Sequence, residues 1–163
     1  FSAQRVYGGW EDAWANPGQS PRRVFAADFD DERPIRACES VEAAHSKHDD
    51  TARVLQMLCE GGRSGTSVRL DSQCKYAVVA RGQADVYLRM PTRKGYVEKI
   101  WDHAAGAIIA AEAGAVVSDI TGARLDFTCG TRLEHNRGIL CATAGIHGRI
   151  VDVIAQLGLG VPA

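Results

Sequence analysis

From Ile35 to the end of the chain, short runs typical of β-strands alternate with runs of helical periodicity. The strand-like runs IRACES, SVRLD, ADVYLRM, AVVSDI and GILCATA are rich in branched and aromatic residues, and helical segments separate most of them. This alternation is typical of a sheet covered by helices on both faces. The sequence therefore predicts an α/β domain with a mostly parallel sheet over residues 35–163, preceded by an irregular segment over residues 1–34.

Four segments have the apolar spacing expected of helices. The first begins at HSKHDD, the second is QCKYAVVARG, and the third is expected over residues 102–113. In the last segment Ile146, Ile150, Ile154 and Leu157 recur at helical intervals. These lengths suit the helical layers of an α/β sandwich.

The composition limits the classes of partner. The 163 residues carry 19 Lys and Arg against 20 Asp and Glu, a balance that argues against binding of nucleic-acid polymers. No apolar stretch reaches the roughly 18 residues that span a bilayer, so no membrane association is expected. The five cysteines show no C-x-x-C and no zinc-like pairing, which predicts reduced, mostly buried thiols in a cytoplasmic protein. Organellar targeting stays open because the chain begins without Met.

Two short segments combine polar side chains with a helix start. In KIWDHAAG, Asp102 either caps the helix that follows or presents its carboxylate to a cation or polar ligand. In LDSQCKY, Ser72 and Lys75 lie in a strand-to-helix turn, which suits an anion but is also an ordinary place for a capping serine. Spacing alone does not decide between these alternatives.

His45 and His48 lie three residues apart at another helix start. A metal site would need a third ligand, which the sequence does not supply at a recognisable spacing. Two interpretations stay open: the imidazole groups contact a ligand, or they face solvent. Arg89 lies on the polar face of its strand, and further positive charge follows in the loop residues Arg93, Lys94 and Lys99. The loop charges either bind a ligand or form ordinary solvated surface.

Taken together and in order, ESVEAAHSKHD, LDSQCKY, ADVYLRMP and EKIWDHAAG resemble the 3'(2'),5'-bisphosphate nucleotidases. These enzymes are a branch of the lithium-sensitive, magnesium-dependent phosphatase superfamily that includes inositol monophosphatase. The W-D-x-A-A-G element is shared across that superfamily, whereas H-S-x-H-D, D-S-Q-x-K-Y and D-V-Y-L-R look specific to the nucleotidase branch. The resemblance covers residues 37–153.

The resemblance implies roles for five residues. Asp102 would coordinate a catalytic Mg²⁺ ion and so contact the substrate, and His45, Ser72, Lys75 and Arg89 would contact the adenosine bisphosphate. The implied substrate is 3'-phosphoadenosine 5'-phosphate, a compound of sulfur assimilation, with its 5'-phosphosulfate analogue as a second candidate. The products would be AMP and phosphate. Metal-activated water would attack directly, so Ser72 is not assigned as a nucleophile.

One part of the family pattern is missing. Bisphosphate nucleotidases take their other metal ligands from an upstream Glu and a D-P-[IL]-D-G-T motif, and this sequence contains no Asp-Pro pair. Its two Gly-Thr pairs follow Ser64 and Cys129, where the motif requires Asp. The chain is therefore expected to be the C-terminal lobe of a layered αβαβα fold, with residues 1–34 a remnant of the junction to an absent N-terminal lobe. Without that lobe it is expected to be inactive or nearly so.

Two other functions stay open at this point. One is an inositol phosphate phosphatase of the same superfamily, and the other is a non-catalytic binding or scaffold fragment. Separation from the other lobe would expose an apolar face, so self-association through that face is also expected.

Overall fold

The computed structural model describes residues 22–41, 48–59, 65–93 and 95–159, together with the backbone of three two-residue strands further upstream. Those three strands are β1 (Arg5–Val6), β2 (Gly9–Trp10) and β3 (Trp14–Ala15). β1 pairs with β2, and β3 pairs with β4 (Arg22–Arg23), both in antiparallel fashion.

Five strands form the central sheet in the order β6-β5-β7-β9-β8. They are β5 (Arg36–Glu39), β6 (Thr66–Arg69), β7 (Val86–Arg89), β8 (Ala115–Ser118) and β9 (Ile139–Thr143). β5 is parallel to its neighbours β6 and β7, whereas β9 is antiparallel to both β7 and β8. Four of these five strands thus run in one direction. The sheet is mixed because β8 and β9 are joined by a loop without a helix, which returns the chain in the opposite direction.

Four helices cover the two faces of this sheet, and the predicted α/β class is confirmed. They are α1 (His48–Leu58), α2 (Cys74–Ala80), α3 (Ala104–Glu112) and α4 (Ala144–Gln156). α1 packs with α4, and α2 packs with α3. Alternate residues of β7 enter the two cores, with Val86 and Leu88 in one and Tyr87 in the other. Within the described part of the chain, no helix is long and apolar enough to cross a membrane.

Residues 24–35 form no helix or strand, yet they contact the domain closely. Val24 is buried with Ala80 and Ala113, and the amide of Ala26 donates to the carbonyl of Ala113 at 2.8 Å. The predicted irregularity of this stretch therefore coexists with a defined position against α2 and α3.

The carboxylate of Asp85, at the amino end of β7, is enclosed by two arginines. Arg33 donates to it through Nη1 and Nη2 at 2.6 and 2.7 Å. Arg36 donates through its backbone N, Nε and Nη2 at 2.8, 3.2 and 2.8 Å. Burial alone would raise the pKa of Asp85, but the hydrogen bonds from Arg33 and Arg36 outweigh it and lower the pKa to about 2.

All five cysteines are free thiols, but the expectation that most are buried is wrong. Cys38 and Cys141 are buried in the sheet, whereas Cys59 and Cys129 are half-buried and Cys74 is exposed. The last three lie at helix ends or in a loop, where one side of the backbone faces solvent.

Candidate functional site

The order of the strands indicates where a ligand site should lie. The chain leaves β5 through α1 to reach β6 on one side, then returns through α2 to β7 on the other side of β5. In α/β sheets, ligands bind beyond the carboxyl ends of the strands, at the point where successive connections diverge. In this fold that point lies between β5 and β7.

A pocket of about 410 Å³ lies at this point. Ser40 comes directly after β5, Asp71 and Ser72 come shortly after β6, and Arg89 ends β7. The pocket is completed by the start of α2, by β7 and by the segment ahead of α3, through Gln73, Lys75, Tyr87, Tyr96, Lys99, Trp101 and Asp102.

Four of the five residues selected from the sequence therefore line one pocket: Ser72, Lys75, Arg89 and Asp102. The fifth, His45, lies outside the residues that the structure describes. The roles assigned to all five through the family resemblance stay predictions.

Lys75 reaches the pocket from the first turn of α2, although only 4% of the residue is exposed. Its Nζ donates to the carbonyls of Leu70 at 3.1 Å and Ser72 at 2.8 Å. Burial lowers the pKa of Lys75, and the nearby charge of Arg89 lowers it further. An ammonium group has three N–H donors, so these two bonds leave one donor for a ligand in the pocket.

Arg89 is one end of a buried polar network beneath the pocket. Its Nε donates to Oε1 of Glu98 at 2.8 Å, and its Nη2 donates to the hydroxyl of Tyr96 at 3.1 Å. Oε2 of Glu98 lies 3.1 Å from Nε2 of His103, whose Nδ1 lies 2.9 Å from the hydroxyl of Tyr76. With Tyr76 as donor to Nδ1, His103 carries its proton on Nε2 and donates it to Glu98. This assignment gives every polar group of the network a partner.

The network fixes both the position and the charge of the guanidinium group. Burial opposes the charge of Arg89, but the carboxylate of Glu98 and the hydroxyls of Tyr87 and Tyr96 together outweigh burial and raise the pKa of Arg89 above its ordinary value. Arg89 has five N–H donors, and its bonds to Glu98 and Tyr96 leave others available on the pocket side. The arrangement suits recognition of an anion by a preformed cation.

Asp102 lies at the pocket and does not cap a helix. Ile100–Asp102 form a 3₁₀ turn, and α3 begins only at Ala104 after His103 in the cap position. The helix-cap alternative for Asp102 is therefore wrong, because the buried His103 takes that position and makes no capping bond. The Asp102 carboxylate is exposed, and with the described residues it forms no hydrogen bond or ion pair.

Gln73 ties the start of α2 to the W-D-x-A-A-G segment. Its Nε2 donates to the carbonyl of Trp101 at 2.9 Å, and its Oε1 accepts from the backbone N of Gly106 at 2.6 Å. Gly106 also allows α2 and α3 to approach, since a Cβ at this position would lie 2.3 Å from Cδ2 of Tyr76. Gln73 and Gly106 therefore set the position of Asp102 relative to Lys75.

Ser72 has a φ of +58°, the only positive value among the non-glycine residues that the structure describes. Its Oγ accepts a hydrogen bond from the backbone N of Cys74 at 3.3 Å, and its carbonyl accepts from Lys75. A left-handed conformation costs an L-residue on the order of 1–3 kcal/mol, and such strain is common at ligand sites. The turn therefore directs the Ser72 carbonyl to the lysine at an energetic cost.

His48, the second histidine of H-S-x-H-D, is half-buried, so its side chain does not face solvent. Its Nε2 lies 3.0 Å from the carbonyl oxygen of Ser40 and 3.9 Å from the carboxylate of Glu39. His48 thereby connects α1 to the end of β5 at the pocket.

The basic loop residues Arg93, Lys94 and Lys99 differ in their relation to the pocket. Lys99 lines it, with Nζ 5.3 Å from the centre of the Trp101 ring. The guanidinium of Arg93 lies 5.7 Å from the centre of the Tyr96 ring. Lys94 lies outside the described residues.

Sequence reasoning missed the side chains that hold the selected residues in place: Gln73, Tyr76, Glu98 and His103. Glu98 and His103 are five residues apart across a 3₁₀ turn, and neither helical nor strand periodicity indicates that they meet. A signal was nevertheless present, because all four lie inside the elements D-S-Q-x-K-Y and E-K-I-W-D-H that carry the family resemblance.

The donor groups of the pocket can be compared with those that a magnesium ion prefers. The exposed carboxylate of Asp102 is a hard oxygen donor of the kind that Mg²⁺ prefers, and its position on the pocket fits the predicted ligand. A single carboxylate binds Mg²⁺ weakly, because the ion keeps its waters unless several anionic oxygens replace them. The residues fit one part of a magnesium site.

Comparison with protein families gives a match over most of the chain. The model of the inositol monophosphatase family matches residues 21–158. A 3'(2'),5'-bisphosphate nucleotidase of Emericella nidulans is 48% identical over 120 residues, which make up 74% of this chain and 33% of that protein. The enzyme of the same name from Schizosaccharomyces pombe is 38% identical over 157 residues, or 96% of this chain and 44% of that protein. The chain thus spans less than half the length of these relatives.

Solved structures show the same fold at low sequence identity. Mycobacterium tuberculosis SuhB aligns with a TM-score of 0.63 and 18% identity, covering 96% of this chain and 54% of that one. An inositol monophosphatase from Anabaena aligns with a TM-score of 0.59 and 19% identity, covering 85% and 54%. These alignments confirm the fold predicted from the family resemblance.

Proposed function

The chain belongs to the inositol monophosphatase family, and we propose that it is the nucleotide-binding part of a magnesium-dependent 3'(2'),5'-bisphosphate nucleotidase. Its substrate would be 3'-phosphoadenosine 5'-phosphate, with the 5'-phosphosulfate analogue as a second candidate, and its products AMP and phosphate. The observation that carries the proposal is the meeting of Ser72, Lys75, Arg89 and Asp102 around one pocket.

Two buried cations support a substrate with a phosphate that is retained. Lys75 and Arg89 are both at most 7% exposed, and both keep N–H donors for the pocket. Charge-assisted hydrogen bonds to phosphate are about twice as strong as neutral ones, and Arg89 can present two parallel donors. These residues would hold the phosphate that is not cleaved, while His45 and Ser72 are proposed as further contacts to the nucleotide.

Asp102 would hold the magnesium ion at the phosphate that is cleaved. When bound, Mg²⁺ neutralises that phosphate and activates water for attack. Gln73 and the 3₁₀ turn fix the Asp102 backbone next to the cations, so the retained phosphate and the metal ligand keep a constant separation. Ser72 has no proposed covalent role.

The proposed partner is an N-terminal lobe that supplies the other metal ligands. Since one carboxylate binds Mg²⁺ weakly, the chain by itself would have little or no activity. Absence of that lobe would expose the apolar face that it covers, so the isolated chain is also proposed to self-associate through this face.

The proposal is tested by measuring phosphate release from 3'-phosphoadenosine 5'-phosphate with this chain alone and with the N-terminal part of a nucleotidase of the family added. We expect Mg²⁺-dependent release only with both parts. Asp102→Asn should abolish it, whereas Asp152→Asn, an exposed carboxylate on α4, should not.

Rapid magnesium-dependent turnover by the isolated chain would contradict the proposed division of the metal site. If the combined parts prefer inositol phosphates, the protein is an inositol phosphate phosphatase of the same superfamily and not a nucleotidase. Nucleotide binding without turnover by the combined parts would favour a non-catalytic binding protein.

A further inference from the structure

A second group of potential metal ligands lies in the loop between β8 and β9, outside the pocket. Oδ2 of Asp126 lies 3.0 Å from Nδ1 of His135, and Sγ of Cys129 lies 3.4 Å from each of these two atoms. It is the one such group of three found in the described part of the chain. The cysteine spacing gave no sign of it, because the ligands are of three different residue types.

The separations between these atoms resemble those around a tetrahedral zinc ion. Zinc bonds of about 2.0–2.1 Å to nitrogen and oxygen and about 2.3 Å to sulfur place neighbouring ligand atoms roughly 3.3–3.6 Å apart. The observed separations are 3.0, 3.4 and 3.4 Å. Side-chain shifts of a few tenths of an ångström would therefore admit the ion.

The Asp126 carboxylate is already oriented for this role. Its Oδ1 accepts hydrogen bonds from the backbone N of Thr128 at 2.9 Å and from the Thr128 hydroxyl at 2.6 Å, which leaves Oδ2 directed to the other two ligands. The backbone N of Asp126 donates to Oδ1 of the buried Asn136 at 2.7 Å. Such supporting hydrogen bonds fix the direction of a metal ligand.

We propose that Asp126, Cys129 and His135 bind a zinc ion, with water as the fourth ligand. A set of thiolate, imidazole and carboxylate favours zinc over magnesium or calcium, which prefer oxygen ligands alone. On binding, the Cys129 thiol releases its proton to solvent as the sulfur–zinc bond forms, and His135 binds through Nδ1 while its ring proton stays on Nε2. Zinc binding by these three residues does not require the proposed nucleotidase function.

Zinc at this site would stabilise the backbone segment beneath the pocket. The amide of Leu133 donates to the carbonyl of Glu98 at 2.9 Å, and the amide of Ile100 donates to the carbonyl of Thr131 at 3.2 Å. The loop that carries Cys129 and His135 therefore holds the segment that contributes Glu98 to Arg89. Zinc should slow hydrogen exchange of the Ile100 and Leu133 amides.

The test is a titration of the whole chain with Co²⁺, a spectroscopic substitute for zinc. We expect one equivalent to bind with a thiolate-to-cobalt charge-transfer band and the visible spectrum of tetrahedral cobalt, and zinc to displace it. Cys129→Ser should remove the charge-transfer band. His135→Asn should lower the affinity at least about tenfold, because even the loss of a group that only supports a metal ligand costs about 10–100-fold.

Matched variants keep the result interpretable. The side chain of His135 is 70% exposed, so His135→Asn leaves the core untouched, and near-ultraviolet circular dichroism without metal checks that each variant is folded. Cys59→Ser replaces another half-buried thiol and should bind cobalt as the natural chain does. A charge-transfer band that persists in Cys129→Ser, an unchanged affinity in His135→Asn, or no tetrahedral spectrum at one equivalent would overturn the proposal.

Discussion

Strand β7 has an arginine–carboxylate arrangement at each end, and the two arrangements differ in whether they leave hydrogen-bond donors free to bind a ligand. At the amino end, the carboxylate of Asp85 accepts five hydrogen bonds from Arg33 and Arg36. At the carboxyl end, Glu98 divides its two oxygens between Arg89 and His103. The first arrangement joins the stretch that enters β5 to the start of β7, whereas the second holds a cation against a pocket.

The difference shows how the same chemistry can stabilise a fold or form a site. The buried acid at the amino end is surrounded by more donors than it needs, so it has no capacity for a ligand. The buried cation at the carboxyl end has more donors than its partners use, so it can bind an anion without moving. We therefore expect changes at the amino end to reduce stability and changes at the carboxyl end to reduce binding.

The largest effect is expected from Asp85→Asn. This change leaves Arg33 and Arg36 without a counter-charge beside a buried amide. The arginine side chains are 27% and 36% exposed, so the loss should lie at the low end of that for ion pairs, about 3 kcal/mol. Denaturant unfolding should show this loss, while the affinity of the folded variant for 3'-phosphoadenosine 5'-phosphate should match that of the natural chain. A large loss of affinity would mean that the two ends of β7 are not separable.

Gly106→Ala should disturb the carboxyl end alone, at a cost of about 2 kcal/mol, because the added Cβ collides with the Tyr76 ring. Displacement of Tyr76 also moves His103 and Glu98, so nucleotide binding should weaken. Gly148→Ala in α4 is the matched control, since a Cβ there meets nothing within 4 Å, and it should stabilise the helix slightly. Equal unfolding curves for the two variants would show that α2 and α3 are not in close contact.

Acid should weaken the amino-end arrangement. The pKa of Asp85 in the fold is about 2 against an ordinary value of 3.8, so its contribution to stability is fully present above pH 4 and is lost as the pH falls toward 2. The shift corresponds to about 2 kcal/mol. The difference in unfolding free energy between the natural chain and Asp85→Asn should shrink by that amount over this range. A constant difference would mean that Asp85 is not held in its charged form by the arginines.

Arg89→Lys should weaken nucleotide binding about tenfold, or roughly 1.4 kcal/mol, because lysine keeps the charge but loses the fixed pair of donors. Isothermal calorimetry would measure the affinity, and the loss of stability should be smaller than for Asp85→Asn. Arg53→Lys, an exposed residue on α1, is the matched control. An unchanged affinity in Arg89→Lys would remove Arg89 from the site.

The sequence predicts much of the fold because the strand and helix patterns are local. β5 to β9 and α1 to α4 lie where the apolar periodicity places them, apart from the start of α3. There the carboxylate of Asp102 looks like a cap, but packing of His103 against Tyr76 and Glu98 shifts the helix start by two residues. That packing depends on residues distant in sequence, which periodicity does not detect.

The site was predictable to the extent that short motifs mark it. Ser72, Lys75, Arg89 and Asp102 belong to such motifs and meet at one pocket. Contacts such as Asp85 with Arg33, or Cys129 with His135, depend on which backbone segments lie side by side. They follow from the three-dimensional fold and have no pattern of their own in the sequence.

The carboxyl end of β7, and not its amino end, is proposed to form the nucleotide site. The most direct test is to titrate the isotopically labelled chain with 3'-phosphoadenosine 5'-phosphate without magnesium and to follow the backbone amides by NMR. We expect saturable shifts centred on Ser72, Lys75 and Arg89, with little change at Arg36 or Asp85. If no shift saturates, or if the shifts centre on Asp85, the nucleotide does not bind at the carboxyl end of β7.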